Sequence, residues 1–191
     1  MTTSTAVGTG TLAFTACDTG SLDYAFTDGS GRSGTIPLTR ITPNVTCVTG
    51  SAAATTNPDF ALSANWFDPA TSGQGFVFEM NPLAAVLFAT WYTYALAGTT
   101  DASGQRWLTG QAAYVPGTRS IGLTLYQTTG GVFDQVTNPA PVTAPVGTAT
   151  VVLASCASAQ LRFNLTGGSS AGKSGSISLV RVEPMPPGCG P

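Results

Sequence analysis

The chain has 191 residues, enough for one or two domains with a proper core. Only 8% are charged, against about a quarter in an average soluble domain, while 42% are apolar, which excludes a disordered composition. The net charge of −2 gives no basic footprint for nucleic acid, no apolar run reaches the ~18–20 residues of a membrane span, and the lack of histidine excludes Ser-His-Asp and Cys-His catalysis.

Glycine (23) and proline (13) are frequent and much of the rest is Thr and Ser, which favours strands and turns over helices. Met1–Val7 has neither a basic n-region nor an apolar h-region. An export signal is therefore expected to have been removed, or the chain to start inside a longer protein.

The first predicted strand is Thr9–Cys17, with Leu12 and Phe14 on one face. Asp18-Thr19-Gly20-Ser21 reads as a turn. Leu22, Tyr24 and Phe26 then alternate with Asp23 and Ala25 as a second strand. Asp28-Gly-Ser-Gly is turn chemistry again, and Thr35–Thr42 gives a third strand with Ile36 and Leu38 inward. Three such strands offer one apolar face and are marginal alone, so something else must cover it.

Residues 48–59 read as a linker without periodicity. Beyond it Phe60, Leu62, Ala64 and Trp66 alternate, followed by an Asp68-Pro turn. Gly75–Met80 is a strand with Phe76 and Phe78 on one side and Val77 and Glu79 on the other, broken by Asn81-Pro82. Ala84–Tyr94 is apolar on both faces, which predicts a central strand. Gly98–Gly104 reads as a hairpin loop. Gln105–Tyr114 and Arg119–Gln127 follow as strands, with a short piece at Val132–Val136. Asn138–Val146 carries three prolines and is expected to be an extended connector rather than a central strand. No 3.6-residue apolar period persists, so almost no helix is expected.

The segment Val146–Cys189 repeats the segment Val7–Cys47. Val-Gly-Thr recurs, and Cys17 matches Cys156, Leu22 matches Leu161, Ile36 matches Ile177, Arg40 matches Arg181 and Cys47 matches Cys189. The offset from Cys17 to Cys156 sets a repeat of about 140 residues. The predicted architecture is therefore all-β: a three-stranded half-repeat (1–47), a linker (48–59) and an antiparallel meander of about eight strands (60–191), closed as a barrel or stacked as a sandwich. Each copy is bracketed by two cysteines, and there is no C-x-x-C, so zinc is excluded. Four buried thiols are one reading. The favoured one is two disulfides, Cys17–Cys47 and Cys156–Cys189, formed in an oxidising compartment.

Over Asn65–Gln111 the runs NWFDPATSGQGFVFEMN, LFATWYTYALAG and GQRWLTGQ, with a closing Gly-Thr-rich strand that ends in cysteine, resemble a secreted proteobacterial β-repeat domain found in tandem or at C-termini. The loop ALAGTTDASG is longer than that pattern. The resemblance implies an accessory or structural module without an assigned activity.

Few residues suit chemistry. Lys173 is the one lysine, and it lies in a Gly/Ser turn whose counterpart carries Arg32, which reads as a solvated cation. Asp68 and Glu79 are the only carboxylates of the aromatic region that a glycosidase pair would need, but Asp68 is expected to cap its own turn and Glu79 to pair with Arg106 or face water. The Asp28 and Asp101 loops lack the carboxylate count of a calcium site. The aromatics carry the remaining signal. Gln105, Trp107, Thr109 and Gln111 share a strand face, near Tyr92 and Tyr94, and such a plate among amides and hydroxyls suits sugar stacking. Trp66 and Trp91 are expected in the core. For Trp107 core and ligand contact stand level.

These features predict a non-enzymatic extracellular or cell-surface structural or adhesion module. It needs no cofactor or metal, and it associates with itself, head-to-tail into a fibre, or with neighbouring repeats. The alternative is a glycan-binding module acting through the aromatic face.

Overall fold

The computed structural model describes residues 4–41, 58–71, 73–96, 104–186 and 189. The chain divides into two compact units, Met1–Ala54 and Thr55–Pro191. The hairpin loop expected at Gly98–Gly104, the lengthened ALAGTTDASG loop and most of the expected linker lie largely outside the described residues, as does Cys47.

The first unit is an antiparallel meander of β1 (Gly8–Phe14), β2 (Thr19–Phe26) and β3 (Ser33–Thr39). Leu12 faces Leu22, which faces Ile36. Cross-strand partners share a face, so Leu12, Phe14, Leu22, Tyr24, Phe26, Ile36 and Leu38 all project to one side. The other side is polar, and there Thr35 donates its hydroxyl to Asp23. The second turn behaves as its residues predict, the Ser30 N–H donating to Asp28 Oδ1 at 2.9 Å. The first falls earlier than expected, at residues 15–18, because β1 ends at Phe14 and Thr19, Gly20 and Ser21 already pair with β1 or β3 in β2. Cys17 is disulfide-bonded, though its expected partner lies outside the described residues.

In the second unit eight strands close a barrel: β4 (Ala64–Phe67), β5 (Gly75–Asn81), β6 (Val86–Tyr94), β7 (Gln105–Ala113), β8 (Ser120–Thr129), β9 (Val142–Leu153), β10 (Ser158–Leu165) and β11 (Lys173–Arg181). All-β closure removes the exposed edges that an open sheet would present. The interior is filled by alternate residues of every strand, including Trp66, Phe78, Leu87, Val151, Leu161 and Leu179, each 1% exposed or less. Trp66 and Trp91 are both in this core, as expected.

The barrel closes where β11 meets β4, through the pairs Val180–Phe67 and Arg181–Trp66 and the Val182 N–H, which donates to the Asn65 carbonyl at 2.9 Å. Side chains reinforce so short a seam. The Arg181 guanidinium donates to the carbonyls of Ala61 (2.7 Å) and Ser63 (3.1 Å) and lies 6.0 Å from the Trp66 ring. The Cys156–Cys189 disulfide, with Cα atoms 5.8 Å apart, fastens the segment that follows β11 to the β9–β10 turn.

Three expectations are corrected. Phe60 and Leu62 do not extend the following strand. Pro58–Leu62 is a turn of 3-10 helix that puts Asp59 and Leu62 inside, and the strand starts only at Ala64. Asp59 drives this: its carboxylate takes the Gly117 N–H and an Arg119 nitrogen, each at 2.7 Å, and the Tyr114 hydroxyl at 3.3 Å. Next, the proline-rich segment is partly strand, since β9 begins at Val142 and includes Pro145. Pro145 pairs only toward β8, beyond the reach of β10, and next to a bulge at Leu125/Tyr126, so its missing N–H costs no ladder bond. Finally, Ala84–Tyr94 is not buried on both faces. Asn81 accepts the N–H groups of Leu83 and Ala84, the strand begins at Val86, and its Phe88–Tyr92–Tyr94 side forms the outer wall of the barrel.

Candidate functional site

β6 and β7 place the predicted residues together. Strand parity decides it: on β7, Arg106, Leu108 and Gly110 point inward, so Gln105, Trp107, Thr109 and Gln111 point out. On β6 the outward set is Phe88, Thr90, Tyr92 and Tyr94. The register then sets Tyr92 against Trp107, Tyr94 against Gln105, Thr90 against Thr109 and Phe88 against Gln111. Trp107 is thus a surface residue, 52% exposed, beside Tyr92 at 49%.

The face is divided into two adjoining shallow depressions. Tyr92, Tyr94, Gln105 and Trp107 line the first, with Gly73 at its rim. Thr109 and Gln111 line the second, of about 250 Å³, together with Phe88, Tyr126 and Thr143. Tyr126 is the residue the sequence reading passed over. Its position was legible: Ile121, Leu123 and Leu125 alternate inward on β8, which leaves Tyr126 facing out, opposite Thr109. Tyr114, by contrast, is buried and bound to Asp59, away from this face.

The charged residues serve the scaffold. Burial works against the charged form of Asp59, but the Gly117 N–H and the Arg119 guanidinium outweigh it and hold the carboxyl below the usual range. The same burial, with the Asp59 charge, pushes the Tyr114 hydroxyl up. Asp68 caps its turn by accepting the Ala70 N–H at 2.9 Å. Glu79 and Arg106 do not pair. Glu79 lies outside in register with Phe88, while Arg106 is inside in register with Thr93, near the opposite end of β6. Arg106 donates instead to Ser169 and Ser170, tying the 3-10 turn Gly168–Ser170 across the mouth of the barrel. Beside that turn opens a cavity of about 570 Å³ lined by Phe76, Trp91, Leu108, Phe163 and Ile177 together with polar and charged side chains, Arg106, Ser170 and Lys173 among them. Lys173 is exposed at the start of β11. Among the described residues no three of Cys, Asp and Glu gather as a metal-binding group.

The second surface of interest is the apolar side of β1–β3. Leu12 is 59% and Phe14 73% exposed. Their repeat counterparts Val151 and Leu153 are 0% and 1% exposed inside the barrel.

Fold and surfaces together define a closed eight-stranded antiparallel barrel accompanied by a second copy of its own last three strands. No known family model, curated protein or solved structure matches the chain.

Proposed function

We propose that this protein is a non-catalytic structural or adhesion module of an oxidising, extracellular setting, and that it assembles head-to-tail through the apolar side of β1–β3. The observation that carries this is the exposure of Leu12 and Phe14 on a sheet whose duplicate is buried. A contact between that side and a different surface on a neighbour does not close on itself, so it propagates into a fibre or an array of repeats. The sparse charge of the chain does little to oppose such contacts. The Cys156–Cys189 bond fits the export this reading requires. Sedimentation velocity across a concentration series, with electron microscopy, tests it. Wild-type chains are expected to grow into elongated particles and a Leu12→Glu/Phe14→Glu variant to stay small. Strictly monomeric wild-type particles at high concentration would refute the self-assembling form.

A second reading is supported by the Tyr92–Trp107 pair. Two adjacent exposed rings flanked by Gln105 offer a stacking plate with an amide donor and acceptor at its edge, the composition that holds a sugar ring. On this reading the module also binds glycans. Binding on a glycan array that disappears in Trp107→Ala supports it, and an unchanged Trp107→Ala profile removes it.

A further inference from the structure

β1–β3 and β9–β11 agree in three dimensions as well as in sequence. Leu12–Leu22–Ile36 is in the register of Val151–Leu161–Ile177, and Tyr24–Gly34 in that of Phe163–Gly175. Gly8 sits opposite Phe26 as Gly147 sits opposite Leu165. At both glycines an added Cβ would strike a carbonyl oxygen, at 2.4 Å from Ala25 and 2.3 Å from Asn164. The first turns repeat too: the Thr15 and Ala16 N–H groups donate to the Thr19 carbonyl, as those of Ala154 and Ser155 donate to that of Ser158. The Thr27 N–H donates to the Val7 carbonyl as the Thr166 N–H does to that of Val146.

What covers the second copy is known, because the barrel shows it. Val151, Leu153 and Leu161 join one core with Trp66, Phe76, Phe78 and Trp91 from β4–β6, and β9 pairs along its free edge with β8. Ile121 is the β8 residue opposite Val151. Among the described residues there are two such closing sheets and one five-stranded complement, β4–β8. Head-to-tail contact between identical copies shields the face without closing a barrel around it, and strand exchange between them does not correct the shortage. Any β4–β8 set that accepts a foreign β1–β3 releases its own β9–β11.

We infer that the partner of β1–β3 is a further five-stranded segment of the β4–β8 type, contributed by a neighbouring repeat, which closes a second barrel around Leu12, Phe14 and Leu22. This rests on the reading of β1–β3 as the assembly face. In that barrel the partner's counterpart of Ile121 pairs with Leu12, and its counterpart of β4 pairs with the outer edge of β3. Both unpaired sheet edges are thereby removed.

The test extends the full chain at its N-terminus with a second copy of residues 58–141 and follows hydrogen exchange by mass spectrometry. Amides of β2 are expected to slow at least a hundredfold, toward the rates of β10, and an apolar dye is expected to leave the surface. Leu12→Glu should abolish that gain in the extended protein and leave the β9–β11 rates alone. Unchanged β2 exchange, or added strands that stay unprotected, would overturn the inference. So would an extended protein that still dimerises through Phe14, which would make a second copy of the same face the occupant. Sedimentation of the unextended chain tests assembly separately, so a failure there is distinguishable from a failure here.

Discussion

Leu153 and Phe14 occupy the same position in two copies of one motif, and truncating each measures what the barrel contributes. Leu153 is 1% exposed. Its replacement by Ala removes three carbons, about 2.4 kcal/mol of transfer energy, and leaves a void that adds about 1 kcal/mol more, for a total of ~3–4 kcal/mol. Phe14 keeps 73% of its surface in solvent. Its truncation forfeits only ~1 kcal/mol of burial, confined to β1–β3. All three tryptophans, Trp66, Trp91 and Trp107, belong to the barrel unit, so their fluorescence reports on that unit alone. With a urea slope of ~2 kcal/mol per molar, Leu153→Ala should lower the fluorescence midpoint by ~1.5–2 M, and Phe14→Ala should leave it within ~0.2 M of wild type. Comparable shifts in the two variants would refute the reasoning, because they would mean that Phe14 is part of the barrel's cooperative unit.

Three further outcomes follow from the barrel. Asp59→Asn should cost ~2–3 kcal/mol at neutral pH through weakened bonds to Arg119 and Gly117. Because the folded carboxyl titrates below its unfolded value of ~3.9, the stability it contributes is complete above that value and lost as pH falls through the folded one, so chemical denaturation from pH 7 to 2 should show a steeper acid slope in the wild type than in the variant. Replacing Cys156 and Cys189 by Ser opens a loop spanning 33 residues and should lower stability by ~3–4 kcal/mol, read as a drop in melting temperature that a reductant reproduces in the wild type. Gly147→Ala, where a Cβ would stand 2.3 Å from the Asn164 carbonyl, should destabilise the barrel markedly, while Gly122→Ala, with open space around it, should be nearly silent in the same melt.

The architecture was legible because its signals are periodic and repeated. Alternation on Gly75–Met80 and Gln105–Tyr114 assigned the correct faces, and the duplicated cysteine module announced the same three-stranded meander twice. Trp107, Tyr92 and their neighbours converged because strand parity and pairing follow from local pattern. What escaped was set by tertiary partners. Alternation at Phe60 and Leu62 imitates a strand, and only the Gly117 N–H and Arg119, nearly sixty residues away, turn it into a 3-10 helix around Asp59. Pro145 looks like a breaker until β10 is seen to end short of it. The two terminal nitrogens of the inward Arg106 donate to Ser169 and Ser170, residues of a turn with no periodicity to announce them.

Amide hydrogen exchange on the unmodified chain bears most directly on whether the leading sheet is a barrel fragment lacking its cover. Matched positions make the comparison internal: Leu22 and Ile36 against Leu161 and Ile177. The account predicts that the first pair exchanges through a low-energy opening of β1–β3 at least a hundredfold faster than the second, which should open only with the whole barrel. Equal protection at the two pairs would contradict it.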